Sequence, residues 1–333
     1  MTTIQQTKPK LKTSAMIASI AAEGQATTQA PFGHALNKVA ETDKRIVGLT
    51  ADLAKYTDLH IFAQKYPERF FQMGMAEQLL FGAAGGMAKE GLIPFVTTYA
   101  VFATRRAYDF IHQIIGEEHL NVKICCALPG LTTGYGPSHQ ATEDLALMRT
   151  IPGLTIIDPC DALETEQAVQ AMVEYDGPVY MRLLRGSVPS VLDEYGYQFE
   201  LGKAKVITDE SDVLIISTGI LTMRALEVYK ELKKEGIGVR VLHVPTIKPL
   251  DETTILNEIK DFTGPIVVAE NHTTIGGLGE IISDLMISNQ VFKPLTKIAL
   301  PDAYLDAGAL PTLHDRYGIS TEKIIEKIKN ILN

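Results

Sequence analysis

The chain is poor in the features that would assign it to a membrane, to nucleic acid or to an oxidising compartment. No apolar run approaches the ~18 residues that a membrane-crossing helix needs. The stretch 15–22 is short, lacks a basic-then-apolar build and carries no cleavage site, so a secretory leader is not expected. Only three cysteines occur, Cys125, Cys126 and Cys160. Their odd number and lack of metal-ligand spacing point to a reducing compartment, the cytoplasm. Cys125 and Cys126 lie in the run VKICCAL, where small buried hydrophobes are expected rather than reactive thiols. The formal net charge of −9 leaves no electrostatic footprint for nucleic acid. A Walker-type phosphate loop is missing, and GGLGE at 276–280 is too short for a dinucleotide fingerprint. His34, His60, His112, His119, His243 and His314 lack the pairing that would suggest a metal.

What is present is an ordinary globular composition, 46% hydrophobic and 21% charged over 333 residues, a length that suits two domains. From Pro31 onward, short apolar runs without alternation are separated by helical stretches of ten to fifteen residues. RIVGLTADL, IPFVTTYAVF, VKICCAL, LTIIDPCD and PVYMRLLRG read as buried strands. PFGHALNKVAETD, the segment after Glu77, TRRAYDFIHQIIGEEH, ATEDLALMRTI and ALETEQAVQAMVEYDG read as helices. The pattern predicts a parallel sheet covered on both faces. A second set follows an acidic, aromatic turn, DEYGYQFE. DVLIISTG, VRVLHVPTI, PIVVAEN and TKIALPD read as strands. ILTMRALEVYKELKKEG reads as an amphipathic helix closed by Gly236, with TEKIIEKIKNIL as a final one. The expected fold class is α/β, with two parallel-sheet-based domains. The expected boundaries are an N-terminal arm at 1–25, a first domain at 26–190, a linker at 191–200 and a second, smaller domain at 201–333.

The stretch 71–109 is the most informative. Glu77 opens a helix just before Leu79, Leu80 and Phe81, and a charge entering apolar surroundings needs a partner or a purpose. A glutamate at a helix start is most simply a partner of the helix dipole. Its company favours function: Gly82, Gly85 and Gly86 each cost about 1 kcal/mol relative to alanine inside a helix. They suggest that another backbone or a ligand comes close. Tyr99 and Phe102, three apart at a strand end, could hold a flat ligand. The loop 130–139, rich in glycine, sits where α/β sheets place ligands, and His139 at its end is a candidate site residue. Glu143 and Asp144 read as dipole partners. Arg182 and Arg185 could meet an anionic substrate or form ion pairs.

Together these residues resemble the thiamine-diphosphate-dependent transketolase family, in its carboxyl-terminal two thirds. The matching stretches are ADLAKYTD, KYPERFFQMGMAEQ, GLIPFVTTYAVFATRRAYD, YGPSHQATEDLALMRTIPGLTIIDPCDALETEQAV, GPVYMRLLRG and VVAENHTTIGGLGE. They run from Pro31 to about Ile328 in the family's order. The resemblance implies a pyrimidine-binding domain followed by the family's C-terminal domain. The family's large chains begin with another domain, whose glycine–aspartate motif and asparagine bind magnesium and the cofactor's diphosphate; no such motif stands here. The chain therefore looks like the B subunit of a split transketolase, active only with an A subunit in an α2β2 heterotetramer. The partner would hold Mg2+ and the diphosphate of thiamine diphosphate.

Carried over by position, the resemblance makes Glu77 the glutamate that bonds the aminopyrimidine and favours its imino tautomer. Tyr99 and Phe102 match the aromatic positions over the pyrimidine, and Asp52 an aspartate near the cofactor. His139 matches a histidine for substrate hydroxyls and is expected, like Glu77, to be catalytic; Arg185 matches an arginine for the acceptor's phosphate. Three departures fall on the substrate side. Tyr135 stands where the family has an acidic residue for the donor's hydroxyl. Ala127 and Leu128 replace a threonine–histidine pair, and an arginine before the first helix is replaced around Thr28 and Gln29. The resemblance implies transfer of a two-carbon ketol unit from a ketose, phosphorylated, sulfonated or branched, to an aldose phosphate. The pentose phosphate pathway is the family's setting. The competing readings are the β subunit of a 2-oxoacid dehydrogenase, a deoxyxylulose-phosphate-synthase-like enzyme, and a non-catalytic scaffold subunit.

Overall fold

The computed structural model describes residue 20 and residues 25–332. Apart from Ile20 and Gln25, the expected N-terminal arm lies outside the described residues. The first part of the chain runs β1 (Thr27–Gln29), α1 (Pro31–Thr42), β2 (Ile46–Thr50), α2 (His60–Lys65), β3 (Phe70–Gln72), α3 (Glu77–Lys89), β4 (Ile93–Tyr99), α4 (Ala100–Arg106), α5 (Tyr108–Phe110), β5 (Lys123–Ala127), α6 (Asp144–Arg149), β6 (Thr155–Ile157), α7 (Ala162–Glu174), β7 (Val179–Leu183) and β8 (Ser187–Pro189). The second part runs β9 (Lys205–Thr208), β10 (Val213–Ser217), α8 (Ile220–Lys234), β11 (Val239–His243), β12 (Thr246–Lys248), α9 (Glu252–Asp261), β13 (Ile266–Thr273), α10 (Leu278–Ser288), β14 (Leu295–Leu300), α11 (Leu310–Arg316) and α12 (Thr321–Leu332).

These elements form two α/β domains, as the sequence predicts. The first is built on a seven-stranded sheet in the order β12-β6-β7-β5-β4-β2-β3, the second on a five-stranded sheet in the order β14-β13-β10-β11-β9. Within these two sheets every pairing is parallel except at two edges, where β12 meets β6 and β9 meets β11 antiparallel, and β1 and β8 form a separate antiparallel ribbon. β2, β4, β5 and β7 are buried along their whole length. Helices cover both faces, which is why these strands read as apolar runs without alternation. In register, Leu49 stands beside Phe71 on one side and Val96 on the other.

Three local expectations need correction. VRVLHVPTI is not one strand: Pro245, which has no N–H to donate, ends β11. Its carbonyl instead accepts from Asp158 N–H at 2.8 Å, and β12 crosses to the edge of the first sheet. The chain thus stitches its two domains through a shared sheet. IPFVTTYAVF stops being a strand at Tyr99, which flanks α4 in extended backbone, so Phe102 lies on the first helical turn. The single helix expected over 104–119 breaks at Ala107 and continues as a π-helical segment, Ile111–Gly116. Among the described residues, no helix is long and apolar enough to cross a membrane.

The domains lock together through buried polar groups. On α7, Glu164 accepts from the Tyr197 hydroxyl and lies 2.8 Å from His243 Nε2 of β11. Asn271 Oδ1 of β13 accepts from Leu131 N–H at 2.9 Å. Two glycines in the loop after β5 permit this approach. A Cβ on Gly130 would lie 2.2 Å from Asn271 O, and one on Gly134 would lie 1.9 Å from Gly308 O. The glycines of this loop therefore answer to the second domain, not to a ligand.

Candidate active site

The site forms at the carboxyl ends of adjacent parallel strands, where backbone N–H groups and loops converge. β2 leads into Ala51, Leu53 and Tyr56, β4 into Tyr99, Phe102 and Arg106, and β5 into the loop that carries Tyr135 and His139. With Met75 and Glu77 these residues line a cavity of about 410 Å3. Five of the residues expected from sequence, Glu77, Tyr99, Phe102, Tyr135 and His139, are thereby brought together.

Glu77 is the first residue of α3, and Gly74 supplies the left-handed turn (φ 74°) that aims the helix start at the cavity. Its side chain is only 6% exposed, and Oε1 accepts from Arg106 at 2.9 Å. The Arg106 guanidinium in turn sits 4.0 Å from the centre of the Phe102 ring. Tyr99 and Phe102 are 5.6 Å apart between ring centres. The His139 ring completes an aromatic wall, 5.5 Å from Phe102 and 5.1 Å from Tyr135. Such a wall beside a buried carboxylate suits a flat, donor-bearing ring.

Protonation states follow from burial. The His139 pKa is lowered by burial and then by the Arg106 charge, so the imidazole is mostly neutral at pH 7. Ser138 Oγ lies 2.9 Å from His139 Nδ1. Burial raises the phenols of Tyr99 and Tyr135, which stay protonated. The Tyr135 hydroxyl is buried and has no hydrogen-bond partner among the described residues.

Asp52 is not in the cavity wall. It takes a left-handed conformation (φ 60°) at the exposed rim. Gln72 holds it there, accepting from Asp52 N–H at 2.7 Å and donating to Asp52 Oδ1 at 3.3 Å. Arg185 lies just past β7 and does not line the cavity, but its charge reaches Tyr99 and Tyr135. The adjacent turn is fixed by Asp58, whose Oδ2 accepts from Gly186 N–H at 2.7 Å. Burial pushes the Asp58 carboxyl up. At the position expected to have lost an arginine, Gln29 Nε2 donates to Ser187 Oγ at 2.5 Å across the β1–β8 ribbon.

Two readings resolve toward structure. Arg182 is buried in an ion pair with Asp144, so it is closed to substrate and Asp144 is no mere dipole partner. Glu143 pairs with Arg105. Of the helix glycines, only Gly85 is demanded by packing: a Cβ there would lie 2.4 Å from Ile114 Cγ2, whereas Gly86 faces open space. Sequence reasoning missed Tyr56, Met75 and Arg106. A tyrosine four places after Asp52 and an arginine one helical turn after Phe102 were the signals available.

The family model described as transketolase, pyrimidine binding domain, matches residues 24–190, and that of the transketolase C-terminal domain matches 202–324. The chain is 66% identical to the putative uncharacterized transketolase family protein y4mN of Sinorhizobium fredii (strain NBRC 101917 / NGR234), covering 98% of this chain and 95% of that protein. It is 37% identical to the 6-deoxy-6-sulfo-D-fructose transketolase subunit SqwH of Clostridium sp. (strain MSTE9), covering 87% of this chain and 89% of that one. A solved structure described as a split gene transketolase, inactive beta4 tetramer, superposes with a TM-score of 0.83 at 38% identity, covering 92% of this chain and 98% of that one.

Proposed function

The chain belongs to the transketolase family, and we propose that it is the pyrimidine-binding subunit of a two-chain, thiamine-diphosphate-dependent transketolase. Its reaction would move a two-carbon ketol unit from a ketose donor to an aldose phosphate acceptor. The observation that carries this reading is Glu77, a nearly inaccessible carboxylate at a helix start, facing Tyr99 and Phe102 across one cavity. A scaffold that had lost its chemistry has no need to keep a carboxylate buried beside an aromatic wall.

The residues fit the pyrimidine half of the cofactor: an apolar aromatic wall for its plane and a carboxylate for its edge. Thiamine diphosphate, when bound, supplies a nucleophilic ring carbon for ketol transfer. Glu77 would hold a proton at the ring edge and so favour the imino tautomer. Tyr99 and Phe102 would fix the ring's plane, and Asp52 would stand at the rim beside it. His139, mostly neutral, would both accept from and donate to substrate hydroxyls. Tyr135 would turn its spare hydroxyl toward the donor sugar, and Arg185 would meet the acceptor's phosphate. Magnesium and the diphosphate would be held by an A subunit, in an α2β2 heterotetramer working in the cytoplasm. Support for a partner lies beside Glu77, where Met75 is 81% and Leu79 56% exposed, apolar surface that a second chain can cover.

The test is reconstitution. The purified chain is mixed with a diphosphate-binding subunit, thiamine diphosphate and Mg2+, and ketol transfer from a panel of phosphorylated and sulfonated ketoses is followed. Transfer by the mixture and by neither subunit alone is expected. A mixture that assembles yet transfers no ketol unit from any of them would sink the proposal.

A further inference from the structure

Two neighbouring arginines at the end of α4 are employed differently. Arg105 is spoken for on all sides: Nε donates to Glu143 at 2.5 Å, NH1 to Pro137 O at 3.1 Å and NH2 to Gln140 O at 3.2 Å. The Arg106 side chain has one hydrogen-bonding partner among the described residues, Glu77, and its side chain is 54% exposed. Yet its guanidinium lies inside the aromatic wall, 4.0 Å from the Phe102 ring centre and in the cavity lining. A guanidinium is flat, stacks on an aromatic face and presents N–H donors at its edge to a carboxylate. An aminopyrimidine offers Phe102 and Glu77 the same three features. Both cannot occupy the space between those two residues.

We propose that Arg106 is a positioning residue that stands in for the cofactor's pyrimidine, pairing Glu77 and covering Phe102 until the cofactor displaces it. This rests on the reading of the site given above. The physical need is clear on the unassembled chain. Without Arg106, Glu77 would be a nearly inaccessible carboxylate with no counter-charge, which is costly. A pair with one half-exposed member and one cation–π contact is weak enough to be displaced.

A stand-in arginine has two effects of opposite sign, which a merely structural arginine would not have. Arg106→Met keeps length and apolar contact but loses the charge and the donors. In the complex with the diphosphate-binding subunit, calorimetric titration with thiamine diphosphate and Mg2+ should give a Kd about five- to tenfold tighter than wild type. The same substitution should lower the melting temperature of the free subunit. Arg106→Lys, which keeps the charge but not the flat stack, should tighten binding by less and serves if the methionine variant does not fold. A variant Kd equal to or weaker than wild type overturns the stand-in role. A wild-type complex that binds no thiamine diphosphate would instead sink the cofactor reading on which it rests.

Discussion

Arg182 grips Asp144 with two hydrogen bonds, from Nε at 2.9 Å and from NH2 at 2.5 Å, and both side chains are shut off from solvent. Tyr180 adds its hydroxyl to Asp144 at 2.7 Å, while Arg182 also reaches Asp158 at 3.2 Å and Asn271 O of the second domain at 3.2 Å. Burial alone would raise the Asp144 pKa, but the charge and hydrogen bonds of Arg182 outweigh it and the carboxyl stays below its usual value. Asp158, which accepts one hydrogen bond each from Arg182 and Thr218, is pushed up by burial. Removing one member of a buried pair leaves the other uncompensated. Asp144→Ala is expected to cost about 3–5 kcal/mol of stability. Urea unfolding checks this, and a loss below about 1 kcal/mol would show that the cluster contributes little.

Glu77→Gln keeps the size and one acceptor of the carboxyl but cannot hold its charge. If Glu77 manages a proton at the ring edge, kcat of the assembled enzyme should fall by about a hundredfold or more. Sedimentation should show assembly unchanged. Near wild-type turnover would remove Glu77 from the chemistry.

Arg185 sits outside the aromatic wall, held by the turn that Asp58 anchors. Arg185→Ala is expected to raise KM for a phosphorylated acceptor by about tenfold or more, the scale of a charge-assisted contact. An uncharged acceptor of the same length should be unaffected. Equal loss for both acceptors would point to a structural role.

Acid should loosen the protein through two histidines. Burial lowers His272 and His314 to about 4 from an ordinary 6.5. The unfolded chain therefore binds protons that the folded chain refuses, and the stability each contributes is lost as pH falls from 6.5 toward 4. Glu270 opposes them. Burial lifts it to about 7 from 4.5, despite accepting from Leu278 and Gly279 N–H. Its folded form keeps a proton that the unfolded form gives up, so its contribution is full below pH 4.5 and lost as pH rises through 7. Two shifts against one of similar size leave a net loss on the order of 2 kcal/mol on going from pH 6.5 to 4.5. His314→Gln, which can still donate to Leu131 O, should leave His272 and Glu270 in near balance and flatten that fall. Urea midpoints at the two pH values measure it; an unchanged slope would take His314 out of the balance.

The legible parts of this molecule are those where local chemistry and tertiary environment agree. β2, β4, β5 and β7 are buried on both faces, so their apolar runs were unambiguous strands. Glu77, Tyr99 and Phe102 fall within one helix–strand–helix stretch, so their neighbourhood was readable. Arg182 and Arg185 were not separable from sequence. Alternation in a strand turns residues three apart to opposite faces, but only the end of β7 at Leu183 decides that Arg182 is inside the sheet and Arg185 beyond it. The β11–β12 segment was misread because a single apolar run can serve two sheets when a proline lets it change partners.

By itself the sequence determined the α/β class, the strands of the first sheet, and the residue types from which a pyrimidine site can be made. These follow from periodicity, burial and side-chain chemistry, which act over a few neighbouring residues. Only the tertiary structure decided that Tyr135 and His139 close the wall begun by Tyr99 and Phe102, that loop glycines serve the second domain, and that Arg106 lies across Glu77. Those are relations between segments distant in the chain, fixed by which strand ends the parallel sheet places side by side.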